Sequence, residues 1–220
     1  QNSSLIKGII ASGLVTITTT SGDINNSSGA ISSHGNISLT ASGALTNNSL
    51  IKSDGSITIS AASLDNRNSY NLDNNSSPLT GIIAAGNLTI NGYGNLDNSS
   101  GTLIGINSID IELDSGNFTN NSLVQSGGDI EIRAQGINND DSYRLNNART
   151  NLILGIIAGG NVSLNALNSS FTNINGAISS ARAFYISGAN IDNNHGYISA
   201  SGVIGRSTIG SAKNFNNNFG

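Results

Sequence analysis

The chain has 220 residues, of which only 10 % are charged, and Asn, Ser and Gly dominate its composition. Nine basic against thirteen acidic side chains give a net charge of −4 without a basic run or stripe, which argues against nucleic acid and anionic membranes as partners. Cysteine is absent, so no disulfide framework is expected, and no apolar run approaches the length of a transmembrane segment.

One short pattern recurs along the chain: a large apolar residue, any residue, then Asn. The first copy is Ile24-Asn25-Asn26, and eight more follow at intervals of 21, 19, 32, 22, 19, 34, 20 and 24 residues. A period near twenty is typical of a solenoid, in which one unit cannot bury its apolar face alone. The third position of the nine copies is occupied by Asn26, Asn47, Asn66, Asn98, Asn120, Asn139, Asn173, Asn193 and Asn217.

Between these copies, apolar residues return with the alternation of β-strands, as in Ile37-Ser38-Leu39 and Ile57-Thr58-Ile59. Gly and Asn separate the runs, where turns require a positive φ. Helix is not expected, because Asn, Ser, Thr and Gly are poor helix formers and no stretch keeps a helical apolar stripe. Three short strands in each unit therefore predict the coils of a parallel β-helix.

The recurring Asn predicts a ladder of side chains along this β-helix. Coils stack about 4.8 Å apart, which lets each amide donate to one neighbouring amide and accept from the other. The apolar residue two positions earlier would form a parallel stack inside. Roughly nine coils at this spacing make a rod on the order of 45 Å long.

A second period lies over the first. A Gly-Ile-Ile-Ala tetrapeptide begins at Gly8, Gly81 and Gly155. We therefore expect one β-helix segment of a longer chain over residues 1–220, with larger repeats at approximately 8–80, 81–154 and 155–220. The two long intervals place extra residues at about 67–79 and 140–153, and a solenoid must put such a surplus outside the coil as loops.

These loops carry the candidate contact residues. Tyr70 and Tyr143 lie at the same phase, with Arg67 near the first and Arg144 and Arg149 near the second. Aromatic and Arg side chains on exposed loops are the usual anchors of an interface, so one interpretation is a contact with a partner. The alternative is a tyrosine ring folded back onto the side of the coil, where it covers apolar surface.

A second candidate is a group of carboxylates. Asp110, Glu112 and Asp114 alternate with apolar residues and face outward, and the next coil aligns Asp129, Glu131 and Arg133 beside them. Such oxygens suit calcium, whereas a solvated charged face with Glu112 opposite Arg133 needs no ligand. A polysaccharide-acting β-helical enzyme would also need Lys or Arg facing the acids, and only Arg133 qualifies. We therefore predict no catalytic residue, no cofactor and no metal site.

The coils resemble the haemagglutinin-repeat region of filamentous haemagglutinin-like exoproteins, the large passengers of two-partner secretion. The likeness lies in stretches such as GDINNSSGAISSHGNISLTASGALTNNSLIKSDGSITISAA and GNLDNSSGTLIGINSIDIEL. The predicted fold is all-β: a single-stranded parallel β-helix of about nine to ten coils of 19–24 residues, with longer loop-bearing coils at every third position. The resemblance implies that this β-helix is right-handed.

The resemblance also implies export through an outer-membrane partner pore and display on the bacterial cell surface. Members of the family are adhesins or stalks of contact-dependent growth-inhibition toxins. We therefore expect a structural and adhesive segment of a secreted filament, which attaches to a receptor or glycan on host or neighbouring cells. The alternative is a passive toxin stalk, and a polysaccharide-acting enzyme comes third.

Overall fold

The computed structural model describes residues 8–70, 80–146, 151–202 and 208–218, and every regular element in these ranges is a β-strand. Over the same ranges, no helix is long and apolar enough to cross a membrane. The first twelve strands are β1 (Gly8–Ala11), β2 (Val15–Thr19), β3 (Ile24–Asn26), β4 (Ala30–Ser33), β5 (Ile37–Asn47), β6 (Leu50–Ser53), β7 (Ile57–Asp65), β8 (Gly81–Ala84), β9 (Asn87–Gly92), β10 (Leu96–Asn98), β11 (Thr102–Gly105) and β12 (Ser108–Leu113). The next twelve are β13 (Phe118–Asn120), β14 (Leu123–Ser126), β15 (Asp129–Ala134), β16 (Ile137–Asn138), β17 (Arg144–Leu145), β18 (Leu152–Ala158), β19 (Val162–Ala166), β20 (Ser170–Thr172), β21 (Ala177–Ser180), β22 (Phe184–Asp192), β23 (Tyr197–Ala200) and β24 (Thr208–Asn216).

The strands stack as about nine coils, and each coil adds strands to three faces. Face A contains β1, β4, β6, β8, β11, β14, β18, β21 and β23, each paired in parallel with the next. Face B contains β2, β5, β7, β9, β12, β15, β19, β22 and β24. Face C contains the short strands β3, β10, β13, β16 and β20 and the later parts of β5, β7, β22 and β24. The predicted parallel β-helix is confirmed.

The core consists of apolar columns that run along the stack. On face A, Ile51 pairs with Ile31 on one side and Ile82 on the other. On face C, Leu96 pairs with Phe118, and both side chains are fully buried. Burial of these aliphatic and aromatic side chains drives the stacking, because a single coil has no second layer to cover its interior.

The corner between faces C and A is built on a short turn after the ladder Asn. In three tight turns the second residue after that Asn has a positive φ, at Ser100, Asn175 and His195. The next residue is Gly, and at Gly176 an added Cβ would lie 2.0 Å from the carbonyl oxygen of Asn139 in the preceding coil. Successive coils approach each other too closely here for a side chain, which explains why Gly recurs at this position.

Candidate functional site

A continuous ladder of Asn side chains runs along this corner. In each step the Nδ2 of one Asn donates to the Oδ1 of the Asn in the next coil over 2.6–2.9 Å. Its members are buried from Asn26 to Asn193, and Asn217 at the last step is exposed. A second donor bond reaches a backbone carbonyl, as from Asn66 Nδ2 to Thr102 O over 3.0 Å. All nine Asn residues named from the sequence lie in this ladder, which ties each coil to the next.

The two insertions leave the ladder through the same set of hydrogen bonds. Ser69 Oγ donates to the carbonyl of Asn66 over 3.0 Å and accepts from the N–H of Thr102 over 3.1 Å. In the second insertion, Ser142 Oγ donates to the carbonyl of Asn139 over 3.2 Å and accepts from the following coil over 3.1 Å. Both serines are fully buried. They occupy the place that Gly takes in the tight turns, so the following tyrosine leaves the corner at the same point in both loops.

Both insertions also return to face A in the same way. Gly81 and Gly155 each have a φ of 114°, which L-residues rarely adopt. An added Cβ at Gly81 would lie 2.5 Å from Cβ of Thr102, and one at Gly155 would lie 2.6 Å from the carbonyl oxygen of Ala177. The Gly of the recurring tetrapeptide is therefore the point at which the surplus chain re-enters the stack.

The described part of the first loop folds back onto face A. Tyr70 packs with Ile83 against a small outer cluster of buried residues, Ile104, Leu123 and Leu154. Burial raises the pKa of the Tyr70 hydroxyl above its ordinary value, and the charge of Arg144 opposes this shift. The arrangement matches the interpretation in which the ring covers apolar surface. Residues 71–79 lie outside the described ranges.

Arg67 lies along the edge of the coil and binds the chain's own acids. Its Nη2 lies 2.6 Å from Asp65 Oδ2 and its Nε lies 2.9 Å from Asp65 Oδ1, which makes a bidentate pair. The same Nε is 3.7 Å from Asp97 Oδ2 in the next coil. The hydrogen bond from Arg67 lowers the pKa of Asp65, and the carboxylate raises the pKa of Arg67 in return.

The start of the second loop is more exposed than the start of the first. β17 pairs with β18 in antiparallel fashion, and Arg144 at its start is exposed. Tyr143 is 45 % exposed, and its ring lies 5.8 Å from the ring of Tyr197 at a tilt of 56°. Arg149, the remaining contact candidate, lies outside the described residues.

A cavity of about 450 Å³ opens between the second loop and face A. Tyr143 and Tyr197 form one wall, and the apolar side chains of Leu145 and Ile157 line it further. It also exposes polar groups of Ser179 and of Asn151, which precedes β18. The described lining residues therefore combine aromatic, aliphatic and uncharged polar groups.

The carboxylates of β12 and β15 lie on the outside of face B. Asp110 pairs with Glu131 and Glu112 pairs with Arg133 in the strand register, and Arg133 Nη1 lies 3.4 Å from Glu112 Oε1. Glu112 and Asp114 also line a cavity of about 230 Å³. Among the described residues, no three His, Cys, Asp or Glu side chains gather closely enough to hold a metal ion.

The sequence placed Tyr70 and Tyr143 at the same phase but did not identify Ser69 and Ser142, one residue earlier, as the buried start of each loop. The sequence feature that could have identified them is a Ser three residues after the ladder Asn, where the tight turns have Gly. The sequence also did not identify Ser179 and Tyr197 as neighbours of Tyr143. No local pattern marks them, because they come from later coils and meet the loop only through the stacking register.

The fold and the ladder define a parallel β-solenoid whose regular coils carry insertions at one corner. A family model described as haemagglutinin repeat matches residues 10–100, 71–110, 93–155 and 157–217. The chain therefore belongs to the haemagglutinin-repeat family, a structural and adhesive family of filamentous haemagglutinin-like surface proteins. Comparisons with curated proteins and with solved structures gave no match.

Proposed function

We propose that these coils form an adhesive segment of a large secreted bacterial surface filament, which attaches to a receptor or glycan on host or neighbouring cells. One observation carries the proposal: both insertions leave the same corner through equivalent Ser69 and Ser142 bonds, and both re-enter at a Gly. A passive spacer needs no such repeated outer element. The insertions follow β7 and β16, three coils apart, which corresponds to about 14 Å along the axis.

The rest of the coil supplies stiffness. The buried Asn ladder and the parallel strands bond each coil to its neighbours, so a contact made on one loop keeps its position relative to the next. Tyr143 and Arg144 are exposed on the second loop and are of the residue types that anchor interfaces. Membership of the haemagglutinin-repeat family supports two-partner secretion. The proposal therefore includes export of the filament through an outer-membrane pore to the cell surface.

The test replaces each insertion with a tight turn from the same chain. Residues 67–80 are exchanged for Ser-Ser-Gly, as at 99–101, and residues 140–154 for Ile-Asn-Gly, as at 174–176. The labelled parent and the trimmed protein are incubated with epithelial cells and with Gram-negative bacteria, and bound protein is counted by flow cytometry. The matched control replaces only Tyr93, which is 70 % exposed away from the loops, with Ala.

We expect the parent and the Tyr93→Ala control to bind cells and the trimmed protein to lose most of this binding. Far-ultraviolet circular dichroism confirms that the trimmed β-helix is folded. Binding that survives trimming would contradict a role for the loops. If neither parent nor variant binds any cell, the adhesive function is wrong, and the passive stalk of a contact-dependent growth-inhibition toxin becomes the better explanation.

A further inference from the structure

The two loop-bearing corners can be compared residue by residue, because they start from equivalent bonds. Tyr70 N–H donates to the carbonyl of Ser100 over 2.8 Å, and Tyr143 N–H donates to the carbonyl of Asn175 over 3.0 Å. The two tyrosines thus leave the stack from the same backbone position. The first is half-buried and the second is 45 % exposed, and the two rings lie beside different residues of face A.

That surface differs at several positions of the strand register, and two of them distinguish the neighbours of the two tyrosines. On face A, Ile83 pairs with Ile104 in the first unit, whereas Ile157 pairs with Ser179 in the second. One coil further on, Leu123 pairs with Thr102 in the first unit, and at the equivalent position of the second unit Tyr197 pairs with Ala177. Ile83, Ile104 and Leu123 are called the first set, and Ile157, Ser179 and Tyr197 the second set.

The first set is aliphatic, and its Ile104 and Leu123 are buried, together with Leu154 of β18, in the cluster against which Tyr70 packs. In the second set, Ser179 and Tyr197 replace two of these apolar groups with hydroxyl-bearing ones. The cavity of about 450 Å³ lies at this second set.

The chemistry of the cavity restricts its ligand. Its volume falls within the roughly 300–1,000 Å³ of small-molecule sites, which combine apolar and aromatic walls with a few placed polar groups. Tyr143 and Tyr197 provide aromatic surface for an apolar ring face, while Asn151 and Ser179 provide uncharged donors and acceptors for hydroxyl groups. None of the described lining residues is charged.

We propose that this cavity is a binding site for a neutral pyranose, with the sugar ring against the tyrosine pair and its hydroxyl groups bonded to Asn151 and Ser179. The inference rests on the proposed adhesive function and deepens it by naming the ligand class and the loop that holds it. It also assigns different roles to the two loops. Tyr70 closes an apolar surface, and Tyr143 borders an open site.

The experiment uses the whole chain and a panel of methyl glycosides of glucose, galactose, mannose, N-acetylglucosamine and fucose, with the methyl glycoside of N-acetylneuraminic acid as the charged comparison. Saturation-transfer NMR identifies the bound sugar protons, and titration gives the affinity. The test variant, Ser179→Ile with Tyr197→Leu, installs the residues of the first set in the second. Tyr93→Leu, at an exposed tyrosine outside the cavity, is the matched control.

We expect saturable binding of at least one neutral glycoside in the millimolar range, an affinity loss of about tenfold or more in the double variant, and no change in the control. If the double variant has a clearly lower thermal midpoint than the parent, the glycoside affinity of the single variant Tyr197→Leu is compared with that of the parent instead. The inference is overturned if no neutral glycoside binds at about 10 mM, if the charged sugar is preferred, or if the substitutions leave binding unchanged. Glycoside binding without cell attachment would support the pyranose site and contradict the adhesive function. Cell attachment without glycoside binding would support the adhesive function and contradict the pyranose site.

Discussion

Asn120 Nδ2 donates to Asn139 Oδ1 over 2.7 Å, and both side chains are fully buried. Asn120 Oδ1 in turn accepts from Asn98 Nδ2 over 2.8 Å. Each amide between the two ends of the ladder is thus donor and acceptor at once. A buried amide that loses either partner is costly, because no water replaces the missing bond.

Replacing Asn120 with Ala should lower the free energy of unfolding by about 1–3 kcal/mol, since it leaves Asn98 and Asn139 each short of a partner. Urea denaturation followed by circular dichroism measures the change. Asn48→Ala, at an exposed residue beside the ladder, should leave the midpoint almost unchanged. Equal midpoints for the Asn120 variant and the parent would show that the ladder does not hold the coils together.

Replacing Gly155 with Ala should also destabilise the protein, by about 1–3 kcal/mol. The positive φ is strained for any L-residue, and the new Cβ would lie 2.6 Å from the carbonyl oxygen of Ala177. Gly13→Ala is the control, because its Cβ would meet nothing within 4 Å. A Gly155 variant with the thermal midpoint of the control would contradict this account of the recurring tetrapeptide.

Replacing Arg67 with Gln should raise the pKa of Asp65, which the Arg67 hydrogen bond holds below its ordinary value of 3.8. Because the pKa of Asp65 is lower in the folded state, its ionised carboxylate stabilises the fold at pH values above the ordinary pKa of 3.8. This contribution is lost as the pH falls through the lowered pKa. Carboxyl NMR titration of parent and variant measures the pKa directly. An unchanged Asp65 pKa in the variant would show that the pair does not persist in solution.

Tyr70 should make the fold more sensitive to alkali. Burial raises its pKa above the ordinary 10.0, so the folded state holds its proton after the unfolded chain has lost one. Stability is therefore fully present below pH 10.0 and falls as the pH rises through the raised pKa. Tyr70→Phe should reduce this loss in urea denaturation at alkaline pH, whereas Tyr93→Phe, at an exposed ring, should not. Identical pH profiles for both variants would contradict the packing of Tyr70 on face A.

The ladder could be located from the sequence because its spacing equals the length of a coil. In a parallel stack, a residue that recurs once per coil must lie over its own copy, as Asn26 does over Asn47. The same reasoning places the columns of Ile and Leu in the core. Gly81 and Gly155, where the loops return to face A, appeared in the sequence only as the first residue of a repeated tetrapeptide. Their positive φ became known only from the structure.

The sequence alone thus determined the solenoid, its period and the corner at which the loops leave, because each depends on residues that recur at a constant interval. Only the tertiary structure decided where the two loop tyrosines lie. Tyr70 and Tyr143 share one sequence context, yet the first packs against the cluster of Ile104, Leu123 and Leu154 and the second contacts the ring of Tyr197. Those partners come from a later coil, and only the stacking register brings them to the ring.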